Sequence, residues 1–302
     1  MTSVPTHLFL PLASSVGYVA GVLLIKRSAA FGVGVWRTTF VSNVMMALVF
    51  APLWWLGGQP LRAELWWQPV VSGTLFFLGQ VGTFVALEKG DVSVATPVLG
   101  LKIILVAFFS ALLLIDPVPL TWWVAAGLST AAIGLLNRRP RGAGAGAKAG
   151  AGRNVGFTIA AAAGAALAFA ITDVLVQKWA PAWGAGRYLP VMFGWVGVVS
   201  CSLIAKFNSP LRSVPRVAWP WLLAGAWFLA VQAGGMAYTL ATFGDATAAN
   251  IVYSSRGLWS VLAVWWIGHW FSNDEQALGG AVLRGRLWGA GLMLAAIGLV
   301  LV

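Results

Sequence analysis

Charge and cysteine are the scarcest features of this sequence. Only 9% of its 302 residues are Asp, Glu, Lys or Arg, whereas a soluble domain usually carries about 25%. The single cysteine, Cys201, excludes an internal disulfide and a cysteine metal cluster. The two histidines, His7 and His269, lie far apart in the chain. We therefore predict no metal site and no cofactor.

The sequence also lacks the motifs of several other protein classes. It contains no G-x-x-x-x-G-K-[S/T] loop, which argues against an ATP-driven pump. No Ser/His/Asp arrangement stands out, so we do not expect an enzyme. The net charge of +11 comes mainly from short segments between apolar runs. The positive-inside bias of membrane proteins explains that distribution better than nucleic-acid binding does.

Long apolar runs dominate what is present, since 60% of the residues are hydrophobic. The runs are continuous rather than alternating, which favours helices over barrel strands. The N-terminus lacks the features of a cleaved signal peptide, so we expect the first run to stay. The sequence predicts an all-α, polytopic membrane protein with ten transmembrane helices. The predicted spans are 8–25, 33–56, 67–87, 92–115, 120–136, 155–177, 188–205, 219–242, 246–271 and 287–302.

One low-complexity segment divides these spans into two sets of five. Residues 138–154 are rich in Gly, Ala and basic side chains, a composition typical of a flexible linker. We therefore predict a first five-helix repeat over 1–137 and a second over 155–302.

Residues of the same kind recur at a near-constant spacing in the two halves. The matched pairs, 152 to 154 residues apart, are Lys26 with Lys178, Gln80 with Gln232, Gly90-Asp91 with Gly244-Asp245, and Lys102 with Arg256. The segments AGLSTAAIGL from Ala126 and AGLMLAAIGL from Ala290 also match. Because each half has an odd number of spans, the second half enters the membrane from the opposite side to the first. This predicts an inverted topology, with a binding site near the bilayer midplane.

The distribution of Lys and Arg predicts the orientation. One set of loops carries Lys26, Arg27, Lys89, the five cations of 138–154, Lys206, Arg212, Arg216, Arg284 and Arg286. The opposite set carries only Arg62, Lys178 and Arg187. The basic set is expected to face the cytoplasm, which places both termini outside.

These features together resemble a known family. The two five-helix halves, the Gly-Asp pairs before the fourth and ninth spans, and the A-G-L-x-x-A-A-I-G-L segments look like the drug/metabolite transporter superfamily, in particular its bacterial EamA-type branch. The resemblance implies a transporter. Phosphate-translocating members hold an anion with cations in their fourth and ninth spans, where Lys102 and Arg256 fall here, and EamA-type relatives often export amino acids.

Lys102 and Arg256 are the strongest candidates for a site, because a cation in mid-span is costly in lipid. Lys102 either faces a cavity, forms an ion pair with another helix, or extends to an interface. Arg256 shares a helical face with Tyr253, and its planar fork suits a carboxylate or phosphate. The alternative for Arg256 is a buried pair with Asp173. The other two possibilities for that carboxylate are that it accepts a substrate amine or carries a coupling proton.

The other candidates are polar or aromatic residues within spans. Gln80 and Gln232 bind either substrate or a neighbouring helix. Their neighbours Gly82 and Gly234 are expected to permit close packing. The remaining candidates, which either line a cavity or pack in the bundle, are Asn250, Trp259 and Tyr238.

The sequence therefore predicts a secondary transporter in the bacterial inner membrane, working by alternating access as a monomer or homodimer. Its substrate would be an anionic or zwitterionic metabolite with a carboxylate or phosphate, with an amino acid or derivative favoured. Two stripes, Gly127-Ala131-Gly134 and Gly291-Ala295-Gly298, are expected to be packing or sliding surfaces. The alternatives are a flippase for a phosphate-bearing lipid head group, a sugar-phosphate or nucleotide-sugar exchanger, and a membrane scaffold without a cavity.

Overall fold

The structure is a computed structural model that describes residues 5–89, 92–114, 118–136, 155–267 and 280–301. Within these ranges the chain forms helices and connecting turns, with no β-strand. The α-helices are α1 (Phe9–Ala29), α2 (Val35–Phe50), α3 (Trp67–Lys89), α4 (Val92–Gly100), α5 (Lys102–Leu113), α6 (Leu120–Leu136), α7 (Val155–Trp179), α8 (Ala185–Val199), α9 (Trp219–Phe243), α10 (Ala246–Tyr253), α11 (Arg256–Ile267) and α12 (Gly280–Leu301). Short 3₁₀ segments, Ala51–Leu56 and Ser200–Lys206, extend α2 and α8.

The polytopic membrane character that the sequence predicts is confirmed. Eight helical segments of the described chain are long and apolar enough to cross a bilayer. Two of the ten predicted spans are less regular. The fifth corresponds to α6, which has only 17 residues, and the ninth is divided between α10 and α11. The count of ten spans therefore stays a prediction.

Contacts between helices of the first half and helices of the second half occur in equivalent pairs. In the first half α1 packs on α9, and in the second half the corresponding helix, α7, packs on α3. Helix α2 contacts α9, and its counterpart α8 contacts α3. In the same way α4 and α5 contact α7, while their counterparts α10 and α11 contact α1. The remaining large contacts, α2 with α8 and α6 with α12, join helices at equivalent places in each half.

Glycine allows the closest of these helix contacts. A side chain at Gly225 of α9 would lie 2.9 Å from the Ile25 side chain of α1, and one at Gly82 of α3 would lie 3.1 Å from Ala165 of α7. The prediction for Gly82 is therefore confirmed. Gly234 has ordinary space, because its nearest neighbour, Phe50, is 3.6 Å away.

The packing role predicted for the two small-residue stripes is wrong. In the part of the chain that the structure describes, a Cβ atom added at Gly127, Gly134, Gly291 or Gly298 would meet no heavy atom within 4 Å, apart from its own helix and chain neighbours. Helices α6 and α12 do contact each other, but through the adjacent face, where Gly289 meets Leu136. The residues buried between α6 and α12 therefore lie on a neighbouring face of each helix, and not on the face that carries the repeated glycines.

Hydrogen bonds join loops that the charge count places on the same side of the membrane. Arg37, at the start of α2, donates to Ser209 Oγ at 2.9 Å in the basic loop before α9. On the opposite side, Arg187 donates to the backbone carbonyl of Gln59 at 3.0 Å. These contacts agree with the predicted grouping of loops, while the assignment of one group to the cytoplasm stays a prediction.

Some sequence predictions fall outside the described residues. They concern the linker at 138–154, the Gly90-Asp91 pair, His269 and the ends of the fourth and ninth spans.

Candidate functional site

Both mid-span cations follow a tightened turn in their helices. Leu101, between α4 and α5, donates its N–H to the carbonyl of Val98 at 3.1 Å, an i to i−3 bond. In the second half Ser255 donates to the carbonyl of Val252, also at 3.1 Å. Lys102 and Arg256 are then the first residues of α5 and α11. A short 3₁₀ stretch inside a longer helix often marks a functional hinge.

Lys102 is paired with a carboxylate of the other half. Its Nζ lies 2.8 Å from Asp173 Oδ2, and the two side chains are 18% and 12% exposed. The amide of Asn250 donates to the same carboxylate oxygen at 2.7 Å. The ammonium also lies 5.7 Å from the centre of the Phe169 ring on α7. Of the three possibilities for Lys102, the structure shows an ion pair to another helix, and Asp173 therefore pairs with Lys102 rather than with Arg256.

Arg256 is held by aromatic and neutral polar groups. Its guanidinium carbon lies 4.6 Å from the centre of the Tyr18 ring and 4.7 Å from that of Tyr253. One guanidinium nitrogen donates to the Tyr253 hydroxyl at 3.3 Å. That hydroxyl donates in turn to Gln232 Oε1 at 2.6 Å. No carboxylate of the described chain forms an ion pair with Arg256.

The difference between the two cations can be traced to single positions. At the repeat spacing of 152 residues, the counterpart of Asp173 is Gly21 on α1. The helix that contacts Arg256 therefore offers no carboxylate where its partner helix in the other half has one. Each cation nevertheless contacts one aromatic ring on that neighbouring helix, Tyr18 for Arg256 and Phe169 for Lys102.

The Gly-Asp pair of the second half forms the turn that leads into the site helices. Gly244 has a φ of 78° and Asp245 a φ of 55°, so both adopt a left-handed conformation that glycine tolerates best. Asp245 Oδ2 lies 3.3 Å from His7 Nε2 at the start of the chain. Gln177 Oε1 accepts the first N–H of α10 at 2.8 Å. These contacts fix the entry of α10, and hence the position of Asn250 and Tyr253.

Two predicted candidates carry buried polar atoms without a hydrogen-bond partner in the described chain: Gln80 Oε1 and Trp259 Nε1. Trp259 lies one turn beyond Arg256 on α11. Gln80 adjoins Gly79, whose Cβ position would lie 2.9 Å from Phe169, the ring beside Lys102. Tyr238 is not part of either cluster, since it packs edge-on against Phe243 near the end of α9.

Two residues at these clusters were not among the candidates identified from the sequence. Tyr18 and Phe169 both contact a cation. A signal for Tyr18 existed, because it is one of only four tyrosines and lies inside the first span. Phe169 offered no such signal among sixteen phenylalanines.

Comparison with known families gives one match, the EamA-like transporter family, over residues 6–138. A comparison with curated proteins finds no match. Among 29 matching chains of known structure is a crystal structure described only as that of a protein, which is similar with a TM-score of 0.71 and 14% identity over 99% of this chain and 98% of the other. That identity supports a shared fold alone.

Proposed function

Because residues 6–138 belong to the EamA-like transporter family, we propose that the whole chain is a secondary transporter of a small polar metabolite bearing a carboxylate or phosphate. The family acts on small molecules and works within a lipid bilayer. The finer parts of the proposal are alternating access by two inverted five-helix halves, 1–137 and 155–302, and a location in the bacterial inner membrane.

The exchange of helix pairings between the halves supports this architecture. Several helices of the first half contact partners in the second half that correspond to the partners of their own counterparts. This exchange is what a pseudo-two-fold relation between the halves would produce, so it supports the proposal. Transporters of this kind bind their substrate between the repeats and move by rocking one repeat against the other. Helices α5 and α10 also contact each other across the halves, with a hydrogen bond from Thr247 to Ser110 at 3.4 Å.

The observation that carries the anionic substrate is Arg256. Its guanidinium lies within an apolar span and has no carboxylate partner in the described residues. A desolvated charge without a counter-ion is costly, and a planar guanidinium binds carboxylate or phosphate with two parallel hydrogen bonds. The two tyrosine rings that flank it hold the fork in place while leaving the counter-ion to be supplied by a ligand.

Ligand-induced stabilisation of purified protein tests this function. The screen compares small carboxylates, phosphate monoesters and phospholipids on the wild type, Arg256→Gln and Arg256→Lys. A charged hydrogen bond is worth about 1.5–3 kcal/mol, so Arg256→Gln should weaken anion binding by roughly 10- to 100-fold. Arg256→Lys keeps the charge but loses the fork, so its loss should be smaller.

The matched control is Arg212→Gln, which removes a cation from an exposed loop position and should leave anion binding unchanged. Stabilisation by phospholipids alone would favour the flippase alternative. Anion stabilisation that is equal in wild type and Arg256→Gln would refute the proposed role of the guanidinium.

A further inference from the structure

The charges of the two clusters do not cancel, and the remainder points to the charge of the substrate. Lys102 and Arg256 contribute two positive charges. Asp173 contributes one negative charge, and it is engaged by Lys102 at 2.8 Å and by Asn250 at 2.7 Å on the same oxygen. One positive charge, that of Arg256, is left without a counter-ion in the described residues.

The hydrogen-bond and ring contacts of Arg256 in the described chain include no carboxylate that could bind an ammonium. They are the rings of Tyr18 and Tyr253 and the Tyr253 hydroxyl. Gln232 Oε1 accepts from Tyr253 at 2.6 Å. In an α-amino acid the ammonium lies next to the carboxylate, so it would be held near the guanidinium, where like charges repel.

The carboxylate that the sequence offers for an ammonium already has a cation beside it. Lys102 and Asn250 both contact Oδ2 of Asp173, so a substrate ammonium would have to share the carboxylate through Oδ1 or displace Lys102. In either case two ammonium groups would compete for one negative charge, and like charges repel. A bound zwitterion would therefore leave the excess positive charge of the site unchanged.

A neutral polar group on the substrate, by contrast, could bind side-chain atoms that have no hydrogen-bond partner in the described chain. Trp259 Nε1, one turn from Arg256, is a buried donor without a partner in the described chain, and Gln80 Oε1 is a buried acceptor in the same condition. Buried polar atoms are normally hydrogen-bonded. A hydroxyl both donates and accepts, and an amide does the same, so either group suits such atoms without adding charge.

We propose that the substrate is a monoanion whose second polar group is uncharged, such as a 2-hydroxy acid or an N-acylated amino acid, rather than a zwitterionic amino acid or a dianion. This inference rests on the proposed function and narrows its substrate class. It replaces the amino acid with a derivative that lacks the free ammonium.

Matched ligands test the inference on the wild-type protein. One series is L-lactate, L-alanine and methylmalonate, and the other is L-3-phenyllactate, L-phenylalanine and benzylmalonate. Within each series the members share one side chain and one carboxylate, and they differ only in whether the alpha carbon carries a hydroxyl, an ammonium or a second carboxylate. Isothermal titration and ligand-induced thermal shift should show that at least one hydroxy acid binds ten-fold or more tightly than both its amino acid and its dicarboxylate.

The variant Asp173→Asn supplies a second readout. It removes the negative charge from the cluster while leaving Arg256 in place, so Lys102 becomes available and the preference should change from monoanion to dianion by ten-fold or more. If this variant does not fold, the comparison of ligands on the wild type decides alone.

The outcomes separate this inference from the function on which it rests. If an amino acid or a dicarboxylate binds the wild type as tightly as its hydroxy acid, and Arg256→Gln abolishes that binding, the inference is wrong and the anion transporter stands. If no ligand of either series binds, or if binding is indifferent to Arg256→Gln, both the anion site and this inference fail.

Discussion

The ion pair between Lys102 and Asp173 allows a quantitative test of the site. Asp173→Asn leaves the ammonium of Lys102 without its counter-ion in a position that is only 18% exposed. Breaking a buried pair in this way costs about 3–5 kcal/mol, and the partial exposure of both side chains favours the lower end, about 3 kcal/mol. We expect this loss in the free energy of unfolding.

The opposite variant should cost less. In Lys102→Gln the Asp173 carboxylate keeps its hydrogen bond from Asn250, so the charge that remains still has a polar partner. The expected loss is about 1–2 kcal/mol. In the double variant, Lys102→Gln with Asp173→Asn, two neutral amides face each other and the loss should be about 1 kcal/mol.

These three values give a coupling energy of about 3–4 kcal/mol between the two residues. Equilibrium unfolding in mixed micelles, followed by tryptophan fluorescence and far-UV circular dichroism, measures it. The control variant is Arg212→Gln, which removes an exposed loop cation and should cost less than about 0.5 kcal/mol. Losses that simply add in the double variant would refute the pairing and the charge balance built on it.

Three further predictions follow from other contacts. Tyr253→Phe removes the donor to Gln232 Oε1, so we expect a loss of about 1–2 kcal/mol in unfolding free energy together with weaker anion binding; no change in either would count against the cluster. Gly225→Ala should destabilise the protein, because the added Cβ would lie 2.9 Å from the Ile25 side chain. Its control, Gly127→Ala, meets nothing within 4 Å in the described chain and should gain about 0.5–1 kcal/mol of helix propensity. Equal melting temperatures of the two variants would contradict the packing. In a Cys201→Ser background, a cysteine introduced as Arg212→Cys at an exposed loop position should react with a membrane-impermeant maleimide in inverted vesicles but not in intact cells, and the reverse result would invert the predicted orientation.

The sequence was sufficient for the membrane character, for the positions of most helices and for the two cations. The apolar runs are continuous, and helices satisfy their own backbone hydrogen bonds in lipid, so composition alone predicts them well. The tightened turns before Lys102 and Arg256 were not predicted, because a single 3₁₀ turn leaves the apolar pattern of a span unchanged. Pro97 and Gly100 in the first half were the only local hints.

The partners of the cations depend on helix packing, which the sequence did not specify. Three residues in mid-span, Lys102, Arg256 and Asp173, allow two different ion pairs, and the sequence offered only the pairing of Asp173 with Arg256. Because α4 and α5 pack on α7, the carboxylate meets Lys102 instead. The same dependence explains why the glycine stripes were misplaced: a periodicity identifies a helical face, but not the neighbour that covers it.

The central claim is that Arg256 supplies the uncompensated charge that binds a substrate anion during transport. Uptake of labelled L-3-phenyllactate into proteoliposomes, driven by the same unlabelled compound inside, measures that role most directly. We expect uptake by the wild type and by Arg212→Gln, reduced uptake by Arg256→Lys and none above empty vesicles by Arg256→Gln. Equal uptake by the wild type and Arg256→Gln would contradict it.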